Sequence, residues 1–212
     1  MSAFFVILAV IAAVVVLSLI LLRSYRNNDE DYFGSPDRPE GWSYTTEEKI
    51  SGIRGEEQAF RIISSVLREG DRLFSNVSIS YDGKPTELDF VVVNAFGVFI
   101  LEVKNYKGIL FGAEDDYEWE KYKKTDTGNS YVRPVKNPIK QVRRQIYLLA
   151  HYLDYYGVRV WVKGYAILLQ GNSPIESPFL LKSTEEIDHA IHTADRTRLN
   201  AATGAQIADL LS

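Results

Sequence analysis

The pattern of apolar and polar residues changes character along the chain. Ala3 to Leu22 reads AFFVILAVIAAVVVLSLILL, with Ser18 its one polar residue and no charge. A helix of that length, at about 1.5 Å per residue, reaches roughly 30 Å, the thickness of a bilayer's hydrocarbon core. A secretory leader fits less well: no basic residue precedes the run, it is too long, and Leu21-Leu22-Arg23 is a poor cleavage site. Residues 3–22 therefore read as a transmembrane helix. Arg23 and Arg26 follow it, so the positive-inside rule predicts a single pass, amino terminus outside and C-terminal domain cytoplasmic. Residues 23–44 are polar and carry Gly34, Pro36, Pro39 and Gly41, as a flexible linker would, with a typical span of about 25 Å.

Beyond Thr45 the periodicities are those of a folded domain. Ala59, Phe60, Ile62, Ile63, Val66 and Leu67 recur at helical spacing and predict a helix over Thr45–Arg68, with Gly52 and Gly55 marking a break or a close approach. Asp71–Tyr81 alternates loosely and reads as a strand, followed by the turn residues Asp82-Gly83 and Pro85. Two apolar strands, Glu87–Val93 and Val98–Lys104, flank the turn Asn94-Ala95-Phe96-Gly97, and a further strand is expected around Gly108–Phe111. Glu118–Val135 reads as polar and turn-rich. Asn137-Pro138 supplies an N-cap and a first-turn proline for a helix to about Tyr156, with Ile139, Val142, Ile146, Leu149 and Leu153 on one face. Val158–Leu169 predicts a buried strand with Gly164 a candidate break, and Phe179–Leu181 a short one. Ser183 and Glu186 form a capping box, and Gly204–Leu211 an amphipathic helix. The order predicts an α/β domain, a mixed central sheet flanked by helices, with its core over residues 45–170 and C-terminal elements 171–212 packed on it.

Composition narrows the chemistry. Of 212 residues 46% are hydrophobic and 25% charged, which supports a buried core. The absence of Cys excludes disulfides and thiolate metal sites. A net charge of −4 does not by itself advertise a nucleic-acid binder.

Against this apolar background the charges of LDFVVVNAFGVFILEVKNYKG stand out. Glu102 and Lys104 share one strand face, with Leu101 and Val103 on the other, and strict alternation puts Asp89 on the face of Val91 and Val93. An antiparallel pairing across Asn94–Gly97 brings Asp89 and Glu102 to one end of the sheet. Two neighbouring carboxylates repel and are costly to desolvate unless a cation joins them. Mg²⁺ takes oxygen ligands of this kind, and an adjacent lysine can orient water or neutralise phosphate charge. From these three residues alone, a Glu102–Lys104 ion pair at a strand end is the simpler account.

The flanking blocks add specificity. Gly52-Ile53-Arg54-Gly55-Glu56-Glu57, Leu88-Asp89-Phe90-Val91-Val92-Val93, Gly97 to Lys104, Asn105-Tyr106-Lys107-Gly108 and Asn137-Pro138-Ile139-Lys140-Gln141 occur in that order over Gly52–Gln170. Together they resemble the nuclease-related domain (NERD) family of the restriction-endonuclease-like, PD-(D/E)xK superfamily. The resemblance implies a nuclease using Mg²⁺ or Mn²⁺. Asp89 matches the metal-binding Asp, and Glu102 and Lys104 the (D/E)xK pair. The Val103 carbonyl would complete the metal's protein ligands. Glu56 matches the acidic residue of the first helix, and Gln141 the Gln of the Asn-Pro-x-x-Gln block. Leu88 stands where the superfamily motif has Pro, and Phe90 where many relatives have His. Each residue also has a plainer reading: Glu56 complementing a helix dipole, Gln141 exposed, Asn137-Pro138 a cap and nothing more. His151, His189 and His192 show no ligand spacing with carboxylates and read as surface or partly buried helix residues.

Local charge is more telling than the total. Lys121, Lys123, Lys124, Arg133, Lys136, Lys140, Arg143 and Arg144 face one acid, Asp126, within residues 121–144, a local charge of +7, with Tyr122 and Tyr131 interleaved. Such a patch can contact phosphates and stack bases, or lie on anionic lipid. The sequence thus points to a membrane-anchored, cytoplasm-facing, metal-dependent nuclease. A non-catalytic nucleic-acid-binding or scaffolding module at the membrane is the alternative, and a lipid-surface partner a third reading.

Overall fold

Val98, Phe99, Ile100 and Leu101 are fully buried, as a strand covered on both faces must be. In the computed structural model, which describes residues 46–124, 130–193 and 198–212, that run is the centre of a sheet. The strands are β1 (Arg72–Tyr81), β2 (Lys84–Asn94), β3 (Gly97–Lys104), β4 (Ile109–Phe111), β5 (Glu118–Lys124), β6 (Ser130–Lys136), β7 (Val162–Leu168) and β8 (Leu180–Leu181). The main sheet has the order β1-β2-β3-β7-β8; β1, β2 and β3 pair antiparallel, whereas β3, β7 and β8 run parallel. The expected transmembrane and linker segments, 3–22 and 23–44, lie outside the described residues. No helix among the described residues is long and apolar enough to cross a membrane.

The helices are α1 (Thr46–Val66), α2 (Pro138–Tyr155), α3 (Thr184–His192) and α4 (Ala201–Leu210). Ala59 and Ile63 of α1 and Ile187 and Ile191 of α3 pack with Phe90, Val92, Phe99 and Leu101 on one face of the sheet. Leu148, Leu149 and Leu153 of α2, with Ile207 of α4, pack with Val91, Val93, Val98 and Ile100 on the other. The sheet is thus sandwiched between helices, as its alternating strand residues require.

Two local expectations are corrected. Gly164 does not break β7, which continues to Leu168. A Cβ at Gly164 would lie 2.7 Å from Val142 Cγ1 and 2.9 Å from Ile146 Cγ1, so this glycine lets α2 close on the sheet. Glu118–Val135 is not merely turn-rich: β4, β5 and β6 form a second, antiparallel sheet. Strands β5 and β6 hide from pattern reading because their one fully buried side chain is Trp119, which packs with Leu110, Ile139, Val142, Ala166, Leu168 and Leu180. Residues 125–129, between β5 and β6, lie outside the described residues.

Candidate active site

The β2–β3 ladder runs as far as the pair Phe90–Leu101. One step further a side chain replaces it: the Val103 N–H donates to Asp89 Oδ2 at 2.8 Å. Opposite Asp89, on β1, Asn76 has φ 53°, and the paired residues pass from Ser75–Phe90 to Val77–Leu88. Asn is among the few residues that tolerate this left-handed backbone. Leu88 and Val91, three apart, join the same core cluster, so alternation is broken at Asp89–Phe90. The irregularity turns the Asp89 carboxylate to the backbone of β3, and its expected place in regular alternation with Val91 and Val93 is corrected accordingly.

Glu102 is 3% exposed, on the face covered by α2. Its Oε1 accepts from Lys104 Nζ and from Gln141 Nε2, both at 2.6 Å, and its Oε2 from Gln145 Nε2 at 2.6 Å. A buried carboxylate needs this many donors to offset its lost hydration. Gln145 Nε2 also donates to Glu87 O at 3.1 Å, whereas Gln145 Oε1 is buried without a hydrogen-bond partner.

The start of α2 is held in place by Asn137, which is 2% exposed. Asn137 Oδ1 accepts from Ile139 N at 2.9 Å as a cap should, but Nδ2 also donates to Asp116 O at 2.7 Å and Glu114 O at 3.0 Å. The cap-only reading of Asn137 therefore understates it: the residue ties the loop before β5 to the helix that presents Gln141 and Gln145. At α1, a Cβ on Gly55 would lie 2.8 Å from Asn105 Cβ, so only glycine lets the helix pass this close to the end of β3. Glu56 follows it, exposed.

Burial raises the Asp89 carboxyl from its ordinary 3.8 to about 6; the Glu102 charge pushes the same way, and Glu56 adds a smaller push. The Val103 N–H and the Lys104 charge oppose the rise. Burial pulls the Lys104 ammonium down, but Glu102, with Tyr106 and Asp89, outweighs it and holds Lys104 above its ordinary range. A raised carboxyl at Asp89, next to a second carboxylate and one lysine, suits a hard divalent cation. No cluster of three or more His, Cys, Asp or Glu side chains forms a metal-ligand set among the described residues. Mg²⁺ commonly takes one or two carboxylates and fills its remaining positions with water and phosphate oxygen. The donor set of Asp89 and Glu102 fits that ion.

The geometry accords with a sequence comparison. The family model described as nuclease-related domain, NERD, matches residues 51–169, more than half of the chain. The chain belongs to the NERD family. An uncharacterized protein of Bacillus anthracis, pXO1-01, is 32% identical over 72 residues, 34% of this chain and 34% of that one. The match thus spans about a third of the relative's length. No solved structure matches this chain.

Within the NERD domain, the basic residues divide. The β5–β6 register pairs Lys121 with Arg133 and Lys123 with Tyr131, which puts these four on the face of Trp119. Lys121 Nζ stands 5.3 Å from the centre of the Tyr106 ring, and Tyr106 in turn acts on Lys104. Through Tyr106, the Lys121 end of this face is connected to Lys104. Lys124 and Lys136 alternate to the opposite face of the hairpin. Lys140 is half-buried in the first turn of α2. Arg143 pairs with Glu114 and with Asp115, and Arg144 donates to Thr86 Oγ1 at 3.2 Å and Pro85 O at 3.3 Å. Glu114 and Asp115 precede residue 121, so a charge count over 121–144 could not reveal that Arg143 is partly neutralised.

Two residues were missed at the sequence level. Gln145 holds the second oxygen of Glu102; the signal was its i+4 spacing from Gln141 on one helix face. His192 reads from sequence as a surface or partly buried helix residue without ligand spacing to carboxylates. The structure buries it with Nε2 2.9 Å from Asp71 Oδ2 and Nδ1 2.7 Å from Asp188 Oδ1. Asp71 lies 121 residues away in the chain, so no spacing rule could find it.

Proposed function

We propose that this NERD protein is a divalent-metal-dependent nuclease that hydrolyses phosphodiester bonds of DNA or RNA. Residues 3–22 would hold it in the membrane, with the domain facing the cytoplasm. The observation that carries the nuclease reading is the buried Glu102, fixed by Lys104, Gln141 and Gln145 beside an Asp89 whose carboxyl is pushed up to about 6. Asp89, Glu102 and the Val103 carbonyl would hold Mg²⁺ or Mn²⁺. Such an ion polarises a phosphoryl oxygen and lowers the pKa of bound water. Lys104 orients the attacking water and offsets negative charge developing on the phosphate. Gln141 and Gln145 keep Glu102 in one rotamer, and Glu56 supports the outer edge of the site. Lys121, Lys123 and Arg133 take the nucleic-acid backbone, with Lys124, Lys136, Lys140, Arg143 and Arg144 extending the positive field.

The full chain, assayed on DNA and RNA with Mg²⁺ or Mn²⁺ against Asp89→Ala and Lys104→Ala, tests the reading. Metal-dependent cleavage lost in both variants supports it; equal cleavage in all three dismisses it. One observation favours a second reading, a non-catalytic nucleic-acid-binding module. Both oxygens of Glu102 are already occupied by protein donors. That reading predicts binding that survives Lys104→Ala, with no turnover.

A further inference from the structure

β3 and β7 run parallel from Val98–Val162 to Lys104–Leu168, so their amino-terminal ends lie together at the edge opposite Glu102 and Lys104. A cavity of about 470 Å³ opens there, lined in part by Gly97 and Trp161. It is some 17 Å along β3 from Glu102, at roughly 3.3 Å per residue. Arg159, Lys163 and Arg198 all line it, and among the described residues no carboxylate does. Arg198 lies 5.0 Å over the Phe96 ring, and the adjoining Leu199 N–H donates to Ala95 O at 2.9 Å, which ties this stretch to the β2–β3 turn. Lys163 Nζ is 5.5 Å from the Phe99 ring centre. Arg159 pairs with Asp154 at 2.7 Å, but with the Arg159 side chain 89% exposed that pair is weak and easily redirected.

Cationic side chains gathered around one concavity give it a positive potential that draws anions. The rim adds a planar apolar surface, because Trp161 is 60% exposed whereas Trp119 is fully buried. An exposed indole offers a face on which a base can stack. The volume lies in the range of sites for small organic ligands. We propose that this cavity binds a nucleoside phosphate, with the base on Trp161 and the phosphate among Arg159, Lys163 and Arg198. The occupant is either a free nucleotide or a single nucleotide of a strand. The site stands apart from the carboxylates and does not depend on their being catalytic.

Equilibrium dialysis of labelled adenosine monophosphate against the full chain in chelator, where no metal-dependent cleavage can occur, reads binding directly and does not depend on the Trp161 indole. The parent chain binds the nucleotide, and Trp161→Ala or Arg198→Glu, both at exposed positions, weakens binding at least tenfold, whereas Trp161→Phe keeps most of it. A short oligodeoxyadenylate that displaces the nucleotide and binds more tightly supports the proposal and names a strand as the source. A nucleotide that an oligomer does not displace supports it and names the free ligand. Inorganic phosphate binding as tightly as the nucleotide overturns it, as does unchanged affinity in both variants. Binding of phosphatidylglycerol vesicles without nucleotide affinity, or no binding at all, also overturns it.

Discussion

Two clusters of ionisable side chains lie on opposite faces of the sheet, and they are balanced differently. On the α3 side, His192 sits between Asp71 and Asp188, and Arg68 closes the cluster on Asp188 at 2.9 Å. The slight burial of Asp188 would raise its carboxyl, but the bonds from His192 and Arg68 outweigh it and hold Asp188 below the usual carboxylate range. On the α2 side, Glu102 is equally well bonded, yet its neighbour Asp89 is raised to about 6 and Gln145 Oε1 lacks a partner. The first cluster is satisfied by the protein's own groups, and it joins the start of β1 to the end of α3. The second retains a local imbalance that a cation would relieve. Such imbalance is costly and persists where the surrounding fold enforces it, which is the mark of a working site.

Substitutions in the two clusters should therefore separate activity from stability. The largest effect is expected at Glu102→Gln, which keeps the shape and removes the charge: cleavage per folded molecule falls at least about 100-fold in rate assays, beyond anything a loss of stability accounts for. His192→Ala should do the reverse. It leaves Asp71 and Asp188 without the ring between them and costs about 2–3 kcal/mol in urea denaturation, with cleavage per folded molecule unchanged.

Asp89→Asn sharpens the contrast through pH. Its folded carboxyl, at about 6, lies above the ordinary 3.8, so ionising it opposes folding. The penalty is absent below about pH 4, grows as pH rises towards about 6 and is complete above that. The metal-free Asn variant should thus be more stable than the parent by up to about 3 kcal/mol at pH 8, with the advantage fading in acid. Parent cleavage should decline as pH falls through about 6. The smallest effect is expected at Gln145→Leu. Losing one hold on Glu102 lowers the cleavage rate about tenfold, and the buried Glu102 Oε2 left without its amide donor costs about 1–2 kcal/mol of stability.

How much of this was legible in the sequence follows from the range of each interaction. The apolar runs of β2 and β3, the helical spacing of α2 and the Asn137 cap are local, and the pattern located them. Asp89, Glu102 and Lys104 were suspected from two short strands, and the ordered flanking blocks favoured them over a simple ion pair. What escaped was decided by tertiary packing. Lys121, Lys123 and Arg133 share a face with Trp119 through strand pairing across a segment that reads as polar. The broken alternation at Asp89 depends on Asn76 across the ladder, and the His192 cluster on residues from both ends of the domain.

The central claim, that the imbalance around Asp89 and Glu102 is a site for a divalent cation, is tested most directly by metal-linked stability. The melting temperature of the full chain at pH 8 should rise with added Mg²⁺ or Mn²⁺, and the rise should vanish in Asp89→Asn. An equal rise in both proteins, or none in the parent at millimolar metal, would contradict it.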